Sequence, residues 1–171
     1  MTSELRYGQI RGGTASFPLP MGASERLNTK SGRFVKRDTS GRGEIAGDTH
    51  TMLIGFVEEG DLTCSTTEGA TIVKCINDVT GVFRIPLAYD GATWTVNYST
   101  AILEETCDLA VLNSVQYGNC TDSSEDTIVI VGGLAATAVW TDGSVSNACL
   151  GDGYLEVMLN PNKMHQVGIG D

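Results

Sequence analysis

The chain has 171 residues, of which 41% are hydrophobic, and a formal net charge of −10 at neutral pH. This length suits one domain, or one domain with an extension, and the acidic balance argues against nucleic acid as a partner. No apolar run approaches the roughly 20 residues of a membrane-spanning helix, and the opening residues lack the apolar core of a secretory signal. We therefore expect a protein made in the cytoplasm that binds neither nucleic acid nor membranes.

The positive charge is concentrated at the start of the chain. Up to Arg42 there are eight basic and three acidic residues, a net of +5, whereas the remainder has three basic and eighteen acidic residues, a net of −15. Pro18 and Pro20 favour an extended path or an edge strand, because proline cannot donate to a strand ladder. We predict a basic, extended N-terminal arm over residues 1–40 and an acidic β domain over 41–171, with a partly disordered terminus as the alternative for the arm.

We predict that the arm docks onto a partner and that folding of the β domain does not depend on it. Single apolar residues are spaced among its basic residues. Exposed ion pairs contribute only about 0 to 1 kcal/mol each, so we expect the charges to orient the arm while the apolar side chains supply burial. The predicted docking residues are Arg6, Tyr7, Arg11, Phe17, Leu19, Arg26 and Lys30.

The rest of the chain is a series of short apolar or alternating stretches separated by turn residues. Intervals of about 8 to 12 residues between strands are typical of an all-β sandwich or barrel with antiparallel strands. The segment 99–112 also fits a helix in part, and we predict a turn followed by a strand there. The predicted strands are 33–37, 52–57, 71–76, 82–87, 93–98, 106–112 with 115–117, 126–131, 135–140 and 154–159.

The stretch 43–60 is the one around which we expect the fold to be organised. Its centre, 52–57, is a short apolar run that ends at two glutamates and a glycine. Such a run predicts a strand that is buried on at least one face. Gly55 inside it indicates a bulge or a close approach of another backbone segment.

Residues that carry chemistry are scattered along the chain. His50 and His165 are the only histidines, and the five cysteines show no Cys-x-x-Cys spacing. Neither pattern matches a known metal or nucleophile motif. We therefore predict no cofactor, no metal and no enzymatic activity, with an enzyme assembled from His50, a cysteine and an acid as a distant alternative. Because the number of cysteines is odd and no secretory signal is seen, we predict free thiols.

A second alternative is a carbohydrate-binding or host-attachment module. Trp94, Tyr98 and Trp140 are the aromatic residues that would form its stacking platform. Aromatic residues of this kind also serve as core or interface residues, and that interpretation is favoured here.

Several β blocks resemble those of tailed-phage proteins that decorate the capsid, known as cement or minor head proteins. The blocks are 32–41 (GRFVKRDTSG), 53–57 (LIGFV), 83–86 (FRIP), 106–111 (TCDLAV) with 115–117 (VQY), and 157–161 (VMLNP). In such proteins small β domains clamp the edges of the major capsid subunits, commonly as trimers and sometimes as dimers. The resemblance implies a structural protein on the outer surface of the virion, with the major capsid protein and copies of itself as partners. It implies no role for any individual residue.

Overall fold

The computed structural model describes residues 8–13, 15–29, 31–47, 52–87, 98–112, 114–120, 125–136 and 153–164. These residues form antiparallel sheets, which confirms the predicted all-β class. Two single 3-10 turns lie at Thr100–Ile102 and Pro161–Lys163. Among the described residues, no helix has the length and apolar character to cross a membrane. The strands are β1 Gly8–Arg11, β2 Ser16–Pro20, β3 Arg26–Leu27, β4 Phe34–Arg37, β5 Gly43–Ile45, β6 Gly55–Val57, β7 Leu62–Thr63, β8 Ile72–Ile76, β9 Val82–Pro86, β10 Thr106–Leu112, β11 Val115–Asn119, β12 Ile128–Leu134 and β13 Tyr154–Leu159.

The strands form three sheets. The largest has six strands in the order β1-β9-β13-β12-β10-β11, the second has five in the order β2-β8-β6-β4-β5, and β3 pairs with β7 alone. A single bridge between Leu87 and Gly118 connects β11 back to the residue that follows β9. The six-stranded sheet is therefore curled, but the described strands do not close into a barrel.

Apolar side chains of the central strands β4 and β6 point to both faces of the five-stranded sheet, so each face packs against a core. Phe34 of β4 and Phe56 of β6 point into a first core shared with the six-stranded sheet. Their rings contact each other and that of Phe83 from β9, with centroids 4.6 to 5.4 Å apart. Aromatic contacts at this distance add to the stabilisation from burial, so this ring cluster fixes how the two large sheets pack.

A second core lies on the opposite face of the five-stranded sheet. Val35 and Val57, the neighbours of the two phenylalanines along β4 and β6, point into it. The two-stranded sheet packs against this second core. It contributes Leu27 of β3, Leu62 of β7 and the buried Cys64, which follows β7. The small two-stranded sheet thus forms a third layer that covers this face.

Gln116 of β11 joins the two large sheets through hydrogen bonds. Its buried side-chain amide accepts a hydrogen bond from the N–H of Phe34 at 2.8 Å and donates to the carbonyls of Phe34 at 2.9 Å and Ala46 at 2.7 Å. Its backbone N–H donates to the Ser31 hydroxyl at 2.7 Å, and its carbonyl accepts from the Gly32 N–H at 2.9 Å. The side chain therefore links β11 to β4 and to Ala46, the residue that follows β5.

Strands β1 to β4 lie before position 40, so much of the described part of the predicted arm is paired into these sheets, and β2 is an edge strand as Pro18 and Pro20 indicated. β1 pairs with β9 in the six-stranded sheet, and β2 pairs with β8 in the five-stranded sheet. Leu19 and Met21 are 1% and 0% exposed and lie in the second core. Side chains at alternate positions of a strand point to the same face, so these apolar residues are buried together. The sparse spacing of apolar residues in the sequence does not show that this face is covered.

Several strand predictions are confirmed. β10 and β13 have the predicted bounds, and segment 99–112 is a 3-10 turn followed by a strand. β6 lies at the centre of its sheet and is fully buried. A Cβ on Gly55 would lie 2.4 Å from the Ile76 carbonyl oxygen, which confirms the predicted close approach. β12 continues to Leu134, beyond its predicted end at 131. The predicted strands 93–98 and 135–140 lie largely outside the described residues.

Candidate interaction surface

One face of the five-stranded sheet is only partly covered. Side chains alternate along β8, so Ile72 points to the same side as Ile76. Ile76 is 2% exposed and belongs to the first core, whereas Ile72 is 65% exposed. The six-stranded sheet therefore covers one end of this face and leaves the other end open.

The neighbouring edge strand extends the open area. In the register of β2 with β8, Pro20 lies opposite Ile72 and Pro18 lies opposite Lys74. Both prolines are exposed. Pro18, Pro20 and Ile72 thus form a contiguous apolar area, which we call the β2–β8 overhang.

The strand edge beside the overhang is closed to a further strand. The N–H of Met21 donates to the Thr71 carbonyl at 2.9 Å, and the carbonyl of Ala15 accepts from the Asn77 N–H at 3.0 Å. Residues 15 and 21 therefore direct their backbone groups towards β8, and by alternation residues 16, 18 and 20 direct theirs outwards. Two of these three are prolines, which have no N–H to offer. A partner therefore meets side chains here, because an added strand would lack donors.

Charged pairs flank the overhang. Lys74 forms an ion pair with Glu58 at 2.6 Å, and its backbone N–H donates to the Glu59 carboxylate at 2.9 Å. Arg42 and Glu68 form a second ion pair, and Gly69 lies between Arg42 and Pro20. An apolar centre with a polar, solvent-accessible rim is the usual anatomy of a protein–protein interface.

An open cleft of about 320 Å³ runs along this strand pair. Its lining combines Pro18 and Ile72 of the overhang with neighbouring polar residues. The lining residues are Ser16, Phe17, Pro18, Glu59, Ile72, Val73 and Lys74. Phe17 is partly buried and packs against the second core, so the cleft lies at the sheet edge and is lined by residues from both faces.

The predicted docking residues that the structure describes do not form one surface. Arg11 is exposed at the end of β1, and Arg26 is exposed on β3. Phe17 lines the cleft described above. Leu19 is a core residue, so it does not present a docking side chain. Predicted positions outside the described residues are Arg6, Tyr7 and Lys30.

Several basic residues near the start of the chain are engaged within the protein. Arg33 is 4% exposed, and its guanidinium donates to the carbonyl of Val57 at 3.0 Å and lies over the Phe56 ring at 5.0 Å. Burial lowers the pKa of this guanidinium from its usual value. Lys36 forms an ion pair with Glu44 at 2.8 Å. These contacts reduce the free positive charge on which the docking arm was predicted.

The overhang was not predicted because the sequence does not show how far the sheets overlap. Segment 71–76 was correctly predicted as a strand. Apolar residues point to both of its faces, so the sequence does not show which of them are buried. The pairing of Pro20 with Ile72 depends on a contact between segments about 50 residues apart in the chain. Ile72 stands between Thr71 and Val73, and nothing in this local sequence distinguishes an exposed isoleucine from a buried one.

The structure describes only some of the residues of the alternative enzyme and carbohydrate-binding sites. His50, His165, Trp94 and Trp140 lie outside the described residues. Tyr98 is half-buried and packs against the first core. In the part of the chain that the structure describes, no group of three or more His, Cys, Asp or Glu side chains has the arrangement of a metal site.

The cysteines that the structure describes are free thiols. Cys64, Cys75 and Cys107 are buried, and Cys120 is partly exposed. Burial raises the pKa of Cys75 to about 12, so this thiol remains protonated and unreactive at neutral pH. Cys64 and Cys75 are not bridged to each other.

No protein family matches the chain, and neither a curated protein nor a solved structure matches it. The resemblance to capsid decoration proteins therefore stays a prediction from the sequence blocks.

Proposed function

We propose that this protein is a structural component of a tailed-phage particle that binds the outer surface of the capsid and stabilises the shell. The major capsid protein is its partner, and the β2–β8 overhang is the surface that meets it. The sequence blocks that resemble decoration proteins support the class. The exposure of Ile72 on the face whose other end packs in the first core supports the surface.

The overhang suits a rigid partner that approaches side chains directly. Its apolar residues stand on two paired strands whose other face is packed in the second core. A surface held in this way loses little conformational freedom on binding, which favours affinity. Burial of apolar area contributes about 25 cal/mol per Å² before the costs of association, and repetition over a capsid lattice multiplies modest contacts through avidity.

We further propose that the protein is a homo-oligomer on the particle, most simply a trimer. β2 cannot recruit a second copy by strand addition, because its outward donors are removed by Pro18 and Pro20. Contact between copies at β2 therefore uses side chains, and Arg11 and Arg26, exposed on β1 and β3, are further contact residues. Selective binding to the assembled shell would shift the shell towards its mature state by mass action.

Cryo-electron microscopy of the phage particles whose genome encodes this chain tests the proposal. We expect density for the two packed sheets on the outside of the head, with several copies in contact and the overhang against capsid subunits. An antibody raised against the purified protein should label the heads of intact particles. Absence of the chain from purified particles, or labelling of tails alone, would refute the assignment.

A further inference from the structure

Cys107 and Cys120 face each other across two neighbouring strands. β10 and β11 pair with Asp108 opposite Asn119, and one further step in this antiparallel register places Cys107 opposite Cys120. Side chains at opposed positions lie on the same face of a sheet. Both cysteines contact the first core on that face.

The type of pair determines how close the two cysteines come. The hydrogen bonds of Gln116 to Ser31 and Gly32 point away from β10, so Gln116 and its partner Val111 form a non-hydrogen-bonded pair. Such pairs alternate along an antiparallel ladder, and Cys107–Cys120 is therefore another. Cα atoms in these pairs lie about 4.5 Å apart, which is within the range of about 4.4 to 6.8 Å that disulfides span.

The two thiols differ in their surroundings. Cys107 is 0% exposed, whereas Cys120 is partly exposed at the end of β11. A hydrogen bond between the two thiols raises the pKa of Cys107 and lowers the pKa of Cys120. The more accessible sulfur is thus also the one that more readily forms the thiolate, which is the reactive species in disulfide exchange.

We infer that Cys107 and Cys120 form a cross-strand dithiol site that low-molecular-weight disulfides oxidise reversibly to a disulfide. The Cys120 thiolate attacks one sulfur of the small disulfide, forms a mixed disulfide and releases one small thiolate, which takes up a proton. The Cys107 sulfur then attacks the Cys120 sulfur, closes the protein disulfide and releases the second small thiol with the Cys107 proton. Two electrons pass from the protein to the small disulfide. This inference does not depend on the proposed function.

The test uses the reduced, full-length protein and oxidised glutathione. After incubation the remaining thiols are alkylated, and the protein is digested with chymotrypsin, because the sequence has no lysine or arginine between residues 107 and 120. We expect mass spectrometry to find peptides joined through Cys107 and Cys120, with two thiols lost per chain. A reducing agent should restore both thiols.

Variants separate this pair from the other cysteines. Cys120→Ser should abolish the linkage, and a matched control, Cys64→Ala, removes another buried thiol and should leave it intact. Circular dichroism of each variant checks that the fold is kept. Oxidation should raise the midpoint of thermal unfolding of the wild type and of Cys64→Ala, but not that of Cys120→Ser. Complete alkylation of both cysteines in oxidised wild-type protein, or linkage of either to a different cysteine, would overturn the inference.

A trivalent arsenical gives a second test that needs no variant. Phenylarsine oxide binds two thiols that lie close together, so one equivalent should protect Cys107 and Cys120 from alkylation together in the reduced wild type. Protection of neither cysteine would show that the thiols are too far apart for the proposed site.

Discussion

The two ends of β8 lie on the same face of the same sheet but have opposite surroundings. At one end Ile76 packs in the first core against the six-stranded sheet, and at the other end Ile72 is exposed beside Pro18 and Pro20. The residue type is the same at both ends, so composition does not explain the difference. The difference comes from how far the two large sheets overlap. The covered half of the apolar face is core, and the uncovered half is a candidate interface.

The comparison implies a separation of roles, in which covered residues determine stability and uncovered residues determine binding. Replacement of Phe56 by Ala should have the largest effect on stability, because its ring packs against Phe34 and Phe83 in the first core. We expect a loss of about 4 kcal/mol in the free energy of unfolding. Ile72→Ala, the control on the uncovered half, should change it by less than about 0.5 kcal/mol. Urea denaturation measures both, and similar losses for the two variants would contradict the separation.

Leu19 tests whether the start of the chain belongs to the fold. Its side chain lies in the second core, so Leu19→Ala should lower the free energy of unfolding by about 3 kcal/mol. Ile10 on the edge strand β1 is 40% exposed, and Ile10→Ala should cost much less. If Leu19→Ala leaves the denaturation midpoint unchanged, residues before 40 do behave as a dispensable arm.

Gln116 tests the connection between the two large sheets. Gln116→Leu keeps the volume but removes the side-chain partner of the Phe34 N–H and of the Ala46 carbonyl, and the Phe34 carbonyl keeps only its bond from the Ala46 N–H. We expect a loss of about 2 kcal/mol, since buried polar groups without partners are costly. Gln9, whose amide makes one partly buried hydrogen bond to Gly13, is the matched control. Equal denaturation midpoints for Gln9→Leu and Gln116→Leu would show that the bridging bonds do not stabilise the fold.

The smallest expected effect concerns Glu25, at the edge of the second core. Burial raises the pKa of this carboxyl group above its usual value, although the Ile45 N–H partly offsets the shift. The folded protein therefore holds this proton more tightly than the unfolded chain, and the associated stability is present at low pH and lost as the pH rises above 4.5. Glu25→Gln should gain stability relative to the wild type between pH 4 and pH 7. Denaturation at the two pH values measures the difference, and a constant or reversed difference would contradict this assignment.

The sequence predicts much of the strand content but not the arrangement of sheets. Alternation along 106–112 and 154–159 locates β10 and β13 correctly, because a period of two in apolar residues is a local signal. The short strands β3, β5 and β7 have no such pattern, since they exist through pairing alone. The overhang depends on which segments pair and how far two sheets overlap. Those are tertiary properties. The prolines correctly indicated an edge strand at β2, but charge and spacing near the chain start did not show that β1 and β2 pair into the two large sheets.

Binding to the shell is the most direct test of the central claim, that the uncovered end of the five-stranded sheet meets the capsid. Phage heads stripped of this protein are incubated with wild-type protein, with Ile72→Glu, and with Val111→Glu, which changes a 43% exposed residue on the six-stranded sheet. After sedimentation with the heads, we expect the wild type and Val111→Glu to bind to the same saturation and Ile72→Glu to lose at least about tenfold in affinity, because a carboxylate would be buried without a partner. Full decoration by Ile72→Glu at wild-type affinity would contradict the account and place the contact elsewhere on the protein.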